Sequence, residues 1–406
     1  MLKIVFVITL LFYLFRNRID IYLIFFLSNV MYSSHVIYGQ IFVNPYIIIA
    51  QINAEIVLSI VFIGTCIFTF IVDRDRKKHD ILQDNKIPYV PKIWIQITLL
   101  VTWILFIIII YYAITTGSMG KKQLKYLPIP YMYLIFMYFS GSSFIFTWTL
   151  NRKINKVLGT LPAVFLLLTG ARAYAVISFI AVLFIRLYNK KIFSLDLMKK
   201  VITITLIPLA SVLSRYWIQL MMIKSSNQLS YLFIIFLSYE WGQIGWNLNA
   251  VTDDSYISAH SYYAVFFGSI PLLHRFIDIG ERSFSHHINI IANKQLGIDS
   301  YGVAGTFWGE SYVLGGFIGV FINLFMVLLI IRFFNKKLLY NNSPIYPIFA
   351  ITLLYLSFYL ARNDIINFIF ALQNFIIFSV IYYLLYKFIP KNKKVIKTVK
   401  MRWNSD

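Results

Sequence analysis

The chain has 406 residues, 59% of them hydrophobic and only 13% charged, with a mean hydropathy of +0.73. That is too apolar for a soluble globular protein and points to an all-α, polytopic integral membrane protein; unbroken runs of Ile, Leu, Phe and Val, not alternating ten-residue segments, exclude a β-barrel. The net charge of +21 is carried by short basic clusters between apolar runs, a pattern that orients membrane proteins and argues against nucleic-acid binding.

In chain order, Lys3 precedes an apolar run to Phe15, and Arg16 and Arg18 follow it with no small-residue cleavage site, so this segment reads as a retained span. Further runs predict spans over 20–38, 53–72, 93–113, 130–149, 157–170, 172–188 and 201–217, then over 311–333, 345–361 and 365–387, about eleven in all. The single cysteine, Cys66, lies inside a run and reads as a small buried side chain. The clusters DRDRKKHD (73–80), NRKINK (151–156), NKK (189–191), MKK (198–200), NKK (335–337) and the tail from Lys387 to Lys400 all fall on one face. The positive-inside bias makes that face cytoplasmic, with Lys121, Lys122 and Lys125 as the one dissenting loop. The chain thus divides into N-terminal spans (1–217), a long external segment (218–310), and C-terminal spans with a basic tail (311–406).

The external segment differs in balance. Glu240, Asp253, Asp254, Asp278, Glu281, Asp299 and Glu310 outnumber its basic residues, although the whole chain is strongly basic. Its apolar pieces YLFIIFLSY (231–239) and YYAVFFGSIPLL (262–273) are too short to span and read as interfacial or re-entrant. A long outer segment in a protein otherwise reduced to its helices is where chemistry is expected.

Arg172, in LLLTGARAYAVISF (166–179), falls at the outer turn of a tight hairpin. The run before it covers roughly 21 Å at 1.5 Å per residue, short of a ~30 Å hydrocarbon core, so the arginine sits near the outer headgroups. Arg215 and Arg362 repeat that geometry at the outer ends of 201–217 and 345–361. Each could snorkel to ordinary headgroups or cap its helix. Three together, on the face depleted of positive charge, favour binding of a shared phosphate or pyrophosphate, which the planar guanidinium fork suits.

Glu310, in GTFWGESYVLGGFIG (305–319), reads either as a positioned base or as an acid complementing its helix dipole; the two Gly-x-x-x-Gly spacings around it read as close helix packing. Asp254, beside Asp253, is a second base candidate or part of a turn, and Glu240 is a third. Trp241 and Trp246 flank Glu240 and read as interfacial anchors or as stacking platforms for sugars. His286 and His287 are a candidate contact to sugar or phosphate but not a metal pair, since adjacent side chains diverge on a helix. No metal, cofactor, phosphate-loop or serine-elbow signature is present in the sequence.

TGARAY at an outer hairpin, a long outer loop late in the chain, GTFWGESYVLGGFIG leading into the next span, and ARND before the last together resemble the Wzy-type O-antigen and oligosaccharide repeat-unit polymerases of bacterial envelopes. The Arg-x10-Gly pattern of some members is absent, so no role passes to Arg275 or Arg282. The resemblance implies metal-independent glycosyl transfer at the outer face of the bacterial plasma membrane, in the synthesis of O-antigen, capsule or exopolysaccharide. Its substrates would be repeat units linked to undecaprenyl pyrophosphate, among membrane lipids and with a chain-length regulator as partner. Arg172, Arg215 and Arg362 would stabilise the leaving pyrophosphate. A ligase moving finished glycan to another acceptor is the rival enzyme; a lipid-linked oligosaccharide flippase is the rival transporter, disfavoured by the long outer segment.

Overall fold

The computed structural model describes residues 1–38, 51–77, 92–116, 132–149, 153–168, 172–188, 191–192, 243–252, 262–268, 284–285, 288, 305–340 and 345–387, and among them every regular element is helical. The helices are α1 (Leu2–Arg16), α2 (Ile21–Tyr32), α3 (Ser34–Tyr38), α4 (Ile52–Lys77), α5 (Lys92–Thr115), α6 (Met132–Thr149), α7 (Lys153–Leu168), α8 (Arg172–Leu187), α9 (Gln243–Thr252), α10 (Tyr262–Gly268), α11 (Phe307–Tyr340), α12 (Tyr346–Leu354) and α13 (Ile365–Lys387). Among the described residues, four stretches are long and apolar enough to cross a membrane unaided: Ile52–Arg74, Ile93–Thr115, Phe307–Leu338 and Ile365–Leu385. The span expected at 201–217 lies outside the described residues.

Exposed apolar side chains show which solvent the bundle meets. Phe321, Phe325, Leu329 and Phe333 form an open row four residues apart on α11, and Ile63, Ile67 and Ile71 do the same on α4. Such stripes carry a large penalty in water and none in lipid. The chain is a membrane-embedded helical protein.

Packing fixes the direction of each helix. Met1 lies beside Glu55 (3.7 Å), while Arg16, at the other end of α1, pairs with Asp73, so α1 and α4 run parallel. Asp20 caps α2 through bonds from the N–H groups of Tyr22 and Leu23 (3.1 and 3.0 Å) and joins the same ion cluster, so α2 starts from that end and runs back antiparallel to α1 and α4. Arg16 and Arg18 share Asp20 and Asp73, with Nη2–Oδ1 distances to Asp73 of 2.8 and 2.7 Å. The N–H of Ile192 donates to Asn17 (3.0 Å), bringing Lys191, the last residue of the NKK cluster, to this end. Lys156 and Arg186 both lie 5.5 Å from the Trp148 ring. Trp94, near the start of α5, packs on Tyr382 near the end of α13. Basic segments distant in sequence therefore gather at one end of the bundle, as the charge pattern predicts.

Three expected spans are interrupted. The span read as 20–38 divides at Ser33 into α2 and the short α3. The span read as 311–333 begins at Phe307 and is broken at Gly315–Gly316, where Gly316 has φ +59, a conformation that suits glycine. The span read as 345–361 is α-helical only to Leu354; it widens into a π-helical turn over Tyr355–Tyr359 and tightens into a 3-10 turn over Leu360–Arg362.

Candidate functional site

At the end opposite the basic cluster, the close of α2, the starts of α8, α11 and α13, and the distorted close of α12 come together. Glu310 stands in the first turn of α11 and is fully buried. Its Oε2 accepts the N–H of Ile365, the first residue of α13. A helix leaves its first N–H groups without partners in its own backbone, and here another helix supplies the acceptor.

Asp364 is also buried (1% exposed). Its carbonyl accepts the first bonds of α13, from Asn367 and Phe368 (3.1 and 3.3 Å). Its Oδ2 accepts from the hydroxyl and N–H of Ser285 (2.9 and 3.3 Å), and its Oδ1 from the Asn367 amide. Glu310 thus binds the N–H of the peptide unit that joins Asp364 to Ile365, placing both carboxylates at the positive end of one helix dipole. A Cβ on Gly305 would come within 3.1 Å of the Asp364 Cβ and 3.2 Å of its N, so residue 305 is small because the chain closes directly over the aspartate.

Arg362 is half-buried with its Cζ 5.6 Å from the centre of the Tyr359 ring. Asn363 returns to an extended conformation (φ −111, ψ 167), and its amide donates to the Tyr359 carbonyl (2.8 Å) and the Tyr355 hydroxyl (3.3 Å). The π-helical turn just before ARND is the kind of distortion that recurs at functional sites. Helix α2 ties these pieces together. Asn29 accepts from the Trp308 indole (2.5 Å), Ser28 donates to the Phe358 carbonyl (2.5 Å), and Tyr32 packs edge-on against Phe358 and Tyr359.

Arg172 opens α8. Two residues on, the Tyr174 ring lies 6.2 Å from that of Tyr355, so the start of α8 and the ARND turn share this end; the Arg172 side chain lies outside the described residues. Arg172 and Arg362 are therefore brought to one region as backbone positions. Trp246 is carried on α9, with its side chain outside the described residues. Arg215, Glu240, Trp241, Asp253, Asp254, His286 and His287 lie outside them altogether, although Ser285, bonded to Asp364, directly precedes the histidine pair.

Of the two glycine pairs, Gly309 is the helix-packing position that the spacing suggests, whereas Gly305 lies before α11 against Asp364, and Gly315 and Gly319 line the bend within α11. A Cβ on Gly309 would meet Val251 of α9 at 2.6 Å, and one on Gly319 would meet the Ser311 carbonyl oxygen at 2.5 Å across the break in α11. Tyr262 of α10 lies over this bend and hydrogen-bonds Asn323, whose amide also donates to Ser311 (2.9 Å). Burial pushes the Tyr262 hydroxyl above its ordinary pKa, opposed by the Asn323 bond and reinforced by the Glu310 charge.

Sequence reasoning singled out Glu310 and Arg362 but not Asn29, Ser285 or the bonding role of Asp364. A lone amide in an apolar run, as at Asn29, is the signal that was present. Chemically, a carboxylate here can take a hydroxyl proton, and the guanidinium can pair with phosphate or carboxylate oxygens. Among the described residues, no group of three or more His, Cys, Asp and Glu side chains could hold a metal ion. No protein-family model, curated protein or solved structure matches the chain.

Proposed function

We propose that the chain is a multi-pass polysaccharide polymerase of the bacterial plasma membrane, working at the outer face without a metal. The acceptor hydroxyl of a lipid-linked repeat unit attacks C1 of the reducing-end sugar of the growing glycan. A C1–O bond to the acceptor forms, the C1–O bond to undecaprenyl pyrophosphate breaks, and the hydroxyl proton passes to a carboxylate. Glu310 is the favoured base, held in orientation by the Ile365 N–H; Asp254 and Glu240 are the other candidates. Arg172, Arg215 and Arg362 neutralise the charge developing on the leaving pyrophosphate.

The observation that supports this reading is the meeting, at the end away from the basic cluster, of two buried carboxylates with Arg362 and the helix start that carries Arg172. Acid and guanidinium chemistry at headgroup depth fits a substrate whose anionic linkage lies there and whose reacting hydroxyl lies just outside. Deleting the gene in its host tests the reading. A polymerase leaves single repeat units on the final acceptor. Long polymer retained on the lipid carrier indicates a ligase instead, and repeat units trapped at the inner face indicate a flippase.

A further inference from the structure

A row of tyrosines runs into the bundle from the ARND turn. The rings of Tyr359 and Tyr355 stack at 5.9 Å, Tyr174 lies 6.2 Å from Tyr355, and Tyr138 lies 5.1 Å from Tyr174. Tyr138 is closed off, whereas Tyr174, Tyr355 and Tyr359 each keep part of their surface open. The π-helical turn carrying two of them is packed by α2, α8, α11 and α13. The part of these rings left open therefore lies on an element set among four packed helices.

The polar groups along the row are specific. Asn363 donates to the Tyr355 hydroxyl, Tyr138 and Tyr174 share hydrogen bonds with one another and with Asn374, and Arg362 covers the Tyr359 ring at the mouth. A groove for a polyprenyl tail would be lined by aliphatic side chains. Aromatic faces edged by phenol hydroxyls and carboxamides instead match a pyranose, which presents apolar C–H faces and a rim of hydroxyls.

We propose that Tyr174, Tyr355 and Tyr359, edged by Asn363 and Arg362, form the seat for a sugar ring of the lipid-linked glycan, beside the Glu310–Asp364 pair; this rests on the polymerase reading. The test uses the full chain in nanodiscs and two probes. One is the oligosaccharide freed by mild acid from the host's lipid-linked repeat units, and the other is undecaprenyl monophosphate, which carries no sugar. Tyr359→Leu is expected to weaken oligosaccharide binding roughly tenfold, the scale of one lost ring contact, and to weaken binding of the lipid phosphate less, because Arg362 loses its ring contact but keeps its charge. In the unmutated protein, hydroxyl-radical footprinting should show Tyr355 and Tyr359 protected by the oligosaccharide and not by the lipid; this readout decides the matter if the variant does not fold. Protection by the lipid alone, or oligosaccharide binding indifferent to Tyr359→Leu, overturns the proposal. Polymer formation assayed on the same preparation separates the two claims. Polymer made with unprotected tyrosines removes the seat and leaves the polymerase, while protected tyrosines without polymer do the reverse.

Discussion

Replacing Glu310 by glutamine and by alanine separates its chemistry from its architecture. The side chain is fully buried and accepts the Ile365 N–H. Alanine leaves that donor without its acceptor, at a cost of about 1–3 kcal/mol, and opens a cavity as well. Glutamine keeps an oxygen at the same reach and exchanges a charge-assisted bond for a neutral one, a loss of about 1 kcal/mol. A general base, by contrast, contributes roughly a hundred- to ten-thousand-fold in rate, and an amide cannot replace it. The expected result is that Glu310→Gln melts within a few degrees of the unmutated protein yet forms polymer at least about a hundred-fold more slowly. Glu310→Ala should lose both stability and activity. Melting is followed in detergent and polymer by chain-length ladders from reconstituted membranes. Full-rate polymer from the glutamine variant would remove Glu310 as the base, and equal melting losses in both variants would refute its role as acceptor for α13.

Gly319→Ala places a Cβ 2.5 Å from a backbone oxygen and should destabilise the bend in α11 more than Gly316→Ala, which meets open space but carries the ~1–3 kcal/mol cost of a backbone conformation that only glycine adopts readily; thermal unfolding ranks them. If the three arginines clamp pyrophosphate, replacing Arg172, Arg215 or Arg362 singly by lysine should fail nearly as badly as replacement by alanine, roughly a hundred- to thousand-fold in rate, because lysine lacks the bidentate fork. Full-length polymer from all three lysine variants would return these residues to snorkelling. Reporter fusions after Lys78, Lys191 and Lys337 should read cytoplasmic and those near Asn249 and Asp299 external, and a cytoplasmic signal at Asn249 would put the site in the wrong compartment.

The distribution of basic residues was legible in the sequence because charge at a membrane face is a local rule. DRDRK, RKINK and NKK need no knowledge of their neighbours to be assigned to one end, and the packing of Arg16, Asn17 and Asp73 gathers them there. The breaks in α11 and α12 were harder to read. GG at 315–316 was visible and was interpreted through spacing, although the decisive fact is a backbone turn that only the packing of Gly319 on Ser311 reveals. Nothing in YLSFYLAR announces a π-helical turn, since every residue in it is compatible with an ordinary helix. Asp364 stands beside Arg362 in ARND, yet its value lies in bonds to Ser285, 79 positions away, and no local pattern encodes such a contact. Asn29 stands out as a polar residue in an apolar run, but its partner Trp308, 279 positions distant, is not legible locally.

The most direct test of the central claim is a reconstitution from purified parts. The protein is placed in proteoliposomes with undecaprenyl-pyrophosphate-linked repeat units as the sole substrate, in the presence of EDTA and with no second acceptor. A ladder of lipid-linked polymer, with undecaprenyl pyrophosphate released in step with each added unit, is the predicted result. Repeat units that stay single while the protein is folded and correctly inserted would contradict it, and a ladder that forms only when divalent cations are restored would contradict the metal-independent mechanism.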